Sequence, residues 1–191
     1  MLDRLRGRIG AALLGMGRGA SKVMPSPTAW TISGLMFSIL AGVLLSKGGY
    51  SFGALGGLCV LASGALDVVD GSVARATNAV SKRGAFLDSN LDRIGEVAIY
   101  FGLLLGHYAP TILVLLAVTL SLLVSYARAR GDALGVSMAG VGIGERSERL
   151  LVIVIASFLG LLYWGVILVV ALAAITFVER VARGAASLKP E

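Results

Sequence analysis

A chain of 191 residues that is 57% hydrophobic, with a mean hydropathy of +0.87, is too apolar for an ordinary soluble domain and reads as a polytopic membrane protein. The single cysteine, Cys59, excludes a disulfide within the chain, and the lone His107 lacks the partners that a histidine metal site needs. The net charge of +6 comes without an aromatic and basic platform or a nucleic-acid motif, so it points to membrane topology and not to nucleic acid.

The expected fold class is all-α: six transmembrane helices plus an N-terminal interfacial amphipathic helix. Leu2, Leu5, Ile9, Leu13 and Met16 fall on one helical stripe, with Arg4, Arg8 and several glycines around the rest. This pattern predicts a helix lying in the headgroup layer over residues 1–24. No polar segment and small-residue cleavage site follow its apolar stretch, so it does not read as a secretory signal. Pro25 and Pro27 end it. Spans are expected at 28–46, 51–76, 85–106, 110–130, 147–163 and 165–183, within a transmembrane catalytic domain of residues 25–185, followed by a tail at 186–191.

Gly48-Gly49, the stretch from His107 to Pro110, and Tyr163-Trp164 mark turns on one side of the membrane. Sixteen of the seventeen lysines and arginines fall at or near the other side, and only Lys47 falls on the first. The positive-inside tendency then puts both termini in the cytoplasm of a multi-pass protein of the cell membrane.

Residues 67–92 read DVVDGSVARATNAVSKRGAFLDSNLD. Asp67 and Asp70 are spaced i, i+3, and Asp88 and Asp92 are spaced i, i+4, so each pair shares a helix face. Four of the eleven acids are thus gathered at the facing ends of two antiparallel spans. Carboxylates at membrane depth are costly, and two pairs brought together repel unless cations lie between them. Gly71 and Ala74 keep the neighbouring surface small, which suits close approach of a ligand or simply of another helix.

Clustered hard oxygen ligands suit Mg²⁺ or Mn²⁺, which share their coordination with substrate phosphates. Two such ions clamp a diphosphate and stabilise the departing oxygen. Arg75 adds fixed positive charge near Asp70, and Asp92 is a reasonable base for an attacking hydroxyl. The residues alone therefore point to metal-dependent phosphoryl transfer at the membrane surface.

The pattern Asp67-x2-Asp70-Gly71-x2-Ala74-Arg75-x8-Gly84-x3-Asp88-x3-Asp92 resembles the full signature of the CDP-alcohol phosphotransferases, eight fixed residues over 26 positions. The resemblance implies an enzyme that displaces CMP from a CDP-activated lipid, with two divalent cations, Mg²⁺ or Mn²⁺, held by Asp67, Asp70, Asp88 and Asp92. Asp92 is then the proton acceptor, and Gly71, Ala74 and Arg75 lie against the cytidine diphosphate. Ser81, Thr28 and Thr31 are further candidates for the nucleotide site, with helix capping and packing as their competing roles. A homodimer is also implied.

A second polar cluster bears on the acceptor alcohol. Ser125, Arg128 and Arg130 end the fourth span, and Glu145, Arg146, Glu148 and Arg149 open the fifth. Arginines facing a cavity near the carboxylates suit an acceptor bearing its own phosphate, whereas the competing role is positive-inside anchoring. The cluster resembles the branch of the family that makes phosphatidylinositol phosphate or archaetidylinositol phosphate. Ser125, Arg128, Arg130 and Arg149 carry that resemblance, with Arg146 beside them. Arg183 or Arg180 at the end of the sixth span is the candidate that completes the phosphate pocket. The implied reaction transfers a lipid phosphoryl group from CDP-diacylglycerol or CDP-archaeol to inositol 1-phosphate. Glycerol 3-phosphate is the alternative acceptor. A divalent-cation transporter and a small structural protein that dimerises through Gly- and Ala-rich helices are the alternatives outside this chemistry.

Overall fold

Long apolar runs punctuated by glycine and proline leave the backbone one way to satisfy its own hydrogen bonds in lipid, which is to coil into helices. A computed structural model describes residues 2–188, with side chains from residue 10 onward. Among the described residues there are seven helices and no strand: α1 (Leu2–Val23), α2 (Pro27–Leu45), α3 (Gly49–Ala76), α4 (Lys82–Leu105), α5 (Thr111–Ala133), α6 (Arg146–Leu159) and α7 (Leu162–Ser187). The all-α expectation agrees with this architecture.

Four helices, α2, α3, α5 and α7, are long and apolar enough to cross a membrane. The two others expected as spans fall short for different reasons. Charged residues including Asp88, Asp92, Arg93 and Glu96 interrupt α4. Only 14 residues form α6, which at the helical rise makes about 21 Å, short of a roughly 30 Å hydrocarbon core. It stops at Leu159 because Gly160 turns left-handed (φ 70°), well before the expected end at 163. At the other end of the chain α7 runs on to Ser187, past the expected end at 183.

The sharp turns have a shared cause. After α3 and α4 the chain reverses through Asn78 (φ 54°) and His107 (φ 55°), and in each case the next amide bonds back to the carbonyl five residues earlier. Ala79 N–H donates to the Ala74 carbonyl and Tyr108 N–H to that of Leu103. Both are Schellman ends in which a non-glycine residue takes the left-handed position. His107 is thus a turn residue.

Pro27 opens α2 and Ser81 caps α4, its side chain accepting the Gly84 amide at 3.1 Å. Glycines permit close packing of α2 on α4, where a Cβ on Gly102 would collide with the Gly42 carbonyl. Gly17 likewise seats α1 against the Ser72 carbonyl of α3. Of the expected α1 stripe, Leu13 is half-buried and Met16 is exposed, while Leu2, Leu5 and Ile9 lie outside the described side chains. Cys59 packs half-buried against the core.

Gly102→Val is expected to cost at least about 1–3 kcal/mol by overpacking, read as a lowered melting temperature in detergent. Gly64→Ala, within α3 where an added Cβ meets nothing within 4 Å, is the control and does not lower the melting temperature.

Candidate active site

The C-terminal turns of α3 and the N-terminal turns of α4 bring the acids together. One carboxylate oxygen each from Asp67, Asp70 and Asp88 lies within 4.8 Å of the others. Asp70 is the most sequestered, at 6% exposure. Its Oδ2 and the Oδ1 of Asp88 are buried without any hydrogen-bond partner. Unpaired buried carboxylate oxygens this close together repel and are costly to desolvate. A hard divalent cation answers both costs, and three oxygen donors of this kind suit Mg²⁺ or Mn²⁺. The donor set fits such an ion.

Asp92 stands beside this trio but has cationic partners. Its Oδ1 accepts from Arg146 Nη1 at 2.9 Å, and Arg93 approaches Oδ2 at 3.5 Å. Arg146 Nη1 also faces Asp67 at 3.5 Å, so one guanidinium spans both acid pairs, while its buried Nε has no partner.

An open cavity of about 890 Å³ runs from these acids into the bundle. Asp67, Asp88 and Asp92 line it together with Ser125, Arg128, Arg146, Arg149 and Arg180. The structure thus brings two separately read clusters to one cavity. A smaller polar recess behind it is lined by Thr31, Ser38, Ser63 and Asp70.

Not every candidate residue faces the cavity. Gly71, Ala74 and Arg75 lie outside both linings, with the Arg75 guanidinium folded over Gly71 and donating to Ser72 Oγ at 3.3 Å. Thr28 and Arg130 are exposed, and Ser81 serves as the α4 cap described above. Thr31 donates to the Pro27 carbonyl at 3.2 Å. Arg183 is exposed and outside the cavity, whereas Arg180, three residues earlier, is 2% exposed and lines it. The difference is one of helix phase. Arg180 faces α5, where its Nη1 donates to the Val124 carbonyl at 2.8 Å, and its Nη2 reaches Glu145 at 3.0 Å.

Arg149 also departs from the role expected of it. It is fully buried, and its Nε, Nη1 and Nη2 are all engaged: Nε and Nη2 donate to Glu96, and Nη1 donates to the Gly144 carbonyl at 2.6 Å. It has little left to offer a phosphate. Arg128 pairs loosely with Glu145 at 3.4 Å and with Asp132 at 3.9 Å, and is the more available cation.

Sequence reasoning passes over Glu96, although a signal is present. Glu96 follows Asp88 and Asp92 at successive i, i+4 steps, so all three acids lie on one α4 face.

Comparison with known proteins places this geometry. The model of the CDP-alcohol phosphatidyltransferase family matches residues 24–178. The chain is 36% identical over 185 residues to the archaetidylinositol phosphate synthase of Pyrococcus horikoshii, covering 95% of each chain. It is 43% identical over 107 residues to the phosphatidylinositol phosphate synthase of Streptomyces avermitilis, covering 52% of this chain and 44% of that one. The crystal structure of Mycobacterium tuberculosis phosphatidylinositol phosphate synthase with CDP-DAG bound superposes with a TM-score of 0.77 at 27% identity, covering 90% of this chain and 92% of that one. The same enzyme in complex with manganese and citrate gives a TM-score of 0.78 at 27% identity, covering 90% and 88%. With the family model spanning most of the chain and a full-length relative above one-third identity, this chain belongs to the CDP-alcohol phosphatidyltransferase family.

Proposed function

We propose that this enzyme transfers a lipid phosphoryl group from CDP-diacylglycerol or CDP-archaeol to the hydroxyl of inositol 1-phosphate, releasing CMP. The observation that carries the reading is the single cavity lined both by the carboxylates Asp67, Asp88 and Asp92 and by the cations Arg128 and Arg146. Such a cavity suits a reaction in which a diphosphate is activated at one end and a second phosphate is held at the other. Relatives named as archaetidylinositol phosphate and phosphatidylinositol phosphate synthases support the same acceptor.

Asp67, Asp70 and Asp88 hold divalent ions, with Asp92 completing the set for a second one. Ions held by these carboxylates would supply positive charge that neutralises the diphosphate and makes its phosphorus more electrophilic. Arg128 and Arg146 orient the acceptor through its phosphate and Ser125 adds a hydroxyl beside them, while Arg180, whose Nε, Nη1 and Nη2 are all engaged, frames the pocket. Asp92 takes the proton of the acceptor hydroxyl as its oxygen bonds to the phosphorus attached to the lipid alcohol. The bond from that phosphorus to the bridging oxygen breaks, and its electron pair leaves with CMP. Gly71, Ala74 and Arg75, within about two turns of Asp67 and Asp70 on the same side of α3, hold the cytidine diphosphate beside the carboxylates, with Thr31 nearby.

The reading includes a membrane arrangement. Six helices, α2 to α7, span, with the short α6 and the charged α4 shielded by their neighbours, and α1 lies in the interface. The basic residues at the helix ends support a cytoplasmic position for both termini and the cavity. A homodimer follows from the family resemblance, and a mass of two chains by light scattering in nanodiscs checks it.

The decisive assay is CMP release by purified protein with CDP-lipid and Mg²⁺, comparing inositol 1-phosphate, free inositol, glycerol 3-phosphate and serine. The expected result is turnover with inositol 1-phosphate well above the others. Preference for glycerol 3-phosphate would keep the carboxylate chemistry and overturn the acceptor.

A further inference from the structure

Glu96 and Arg149 form an ion pair at 1% and 0% exposure, 53 residues apart in the chain. Arg149 Nε donates to Glu96 Oε1 at 3.0 Å, and Nη2 donates to Oε1 and Oε2 at 2.8 and 3.0 Å. Stability alone is a poor reason for such a pair. Desolvating two charges costs about as much as their attraction returns, and a well-packed apolar pair often does as well.

Its placement suggests a better reason. Glu96 lies one turn beyond Asp92 on α4, and Arg149 lies one turn beyond Arg146 on α6. The two helices are therefore joined by two rungs, Asp92 to Arg146 at 2.9 Å and Glu96 to Arg149 at 2.8 Å. Close backbone approach does little of this work, because α6 rests on α3 and α7 while α4 rests on α2 and α5. Asp88 and Asp92 of α4 and Arg146 and Arg149 of α6 line the large cavity.

The rungs differ in how free they are. Arg146 keeps an unpartnered Nε and stands at the cavity, able to turn to an incoming anion. Arg149 has Nε, Nη1 and Nη2 all committed, with Nη1 reaching the Gly144 carbonyl. Gly144 N–H in turn donates to Thr176 Oγ1 at 2.9 Å, which ties the loop before α6 to α7. The inner rung thus holds the α6 N-terminus in place while the outer rung is available to exchange partners.

We infer that Glu96 is a positioning residue for this reaction: through Arg149 it sets the α4–α6 separation, and so the distance between the base Asp92 and the acceptor-binding Arg146. The inference rests on the proposed phosphorylated acceptor. A misplacement of about 1 Å between reacting groups costs up to about 100-fold in rate, so a gap held by side chains needs a rigid one.

The test uses Glu96→Asp, which keeps the charge but shortens the reach by one methylene, and the double variant E96L/R149M, which replaces the pair with apolar groups of similar volume. A purely structural brace predicts that E96L/R149M, if folded, works normally. The positioning role predicts that both variants fold, keep the KM for CDP-lipid within about twofold, and raise the KM for the phosphorylated acceptor by about tenfold or more. Wild-type acceptor KM in either folded variant would overturn the inference. So would a loss shared equally with CDP-lipid, or failure of both variants to fold. If the wild-type enzyme prefers glycerol 3-phosphate, the same comparison is run with that acceptor, so the choice of acceptor and the role of Glu96 fail separately.

Discussion

Asp92→Asn is expected to lower CMP release by about 10²–10⁴-fold while the protein still folds and binds CDP-lipid. Asparagine keeps the shape of the side chain and an oxygen that Arg146 Nη1 can reach at the 2.9 Å seen for Asp92. It has no basicity with which to take a proton from the acceptor. The loss therefore falls on kcat and not on lipid KM. Asp67→Asn is the informative contrast, because Asp67 belongs to the tight carboxylate trio. Its loss should be recovered in large part by raising the Mn²⁺ concentration, whereas that of Asp92→Asn should be recovered far less, because added metal does not restore the base. Activity within tenfold of wild type in Asp92→Asn would remove it from the role of base.

Exhaustive chelation is expected to reduce turnover by about 1,000-fold or more, the scale of several kcal/mol of charge stabilisation, with recovery on adding Mg²⁺ or Mn²⁺. The reason is local. Asp70 Oδ2 and Asp88 Oδ1 are buried without partners and lie beside Asp67. Arg146 faces Asp67 and Asp92 but is not paired with Asp70 or Asp88. Asp70→Asn should raise the half-saturating metal concentration by about tenfold, consistent with loss of one anionic ligand. Paramagnetic resonance of Mn²⁺ with the purified protein measures this without turnover. Full activity after chelation, or unchanged Mn²⁺ binding in Asp70→Asn, would count against the trio as a metal site.

Much of this protein is legible in its amino-acid sequence. The i, i+3 and i, i+4 spacing of Asp67, Asp70, Asp88 and Asp92 settles their helix faces, because helical period is a local property of the chain. The connection through Asn78, Ser81 and Gly84 is readable for the same reason, and its Schellman end and N-cap use only neighbouring backbone groups. Membrane class and helical content follow from hydropathy, which needs no knowledge of packing.

Span status is harder to read from pattern alone. For α6, apolar content over 147–163 suggests a full crossing, but Gly160 ends the helix early. For α4, the charges of the proposed site also remove it from the set of plainly apolar helices.

The arginines show where sequence stops. Arg180 and Arg183 are equivalent in composition and three residues apart, yet one is buried against α5 and the other exposed. Arg149 has the pattern of a phosphate ligand and is instead consumed by Glu96 from another helix. By itself the sequence determined the family signature, the helix faces of the four aspartates and the all-α membrane character, since each depends on residues within a few turns of one another. Only the tertiary structure decided which arginines remain free, because that depends on partners that lie far away in the chain and are brought close by the packing of α4, α5 and α7.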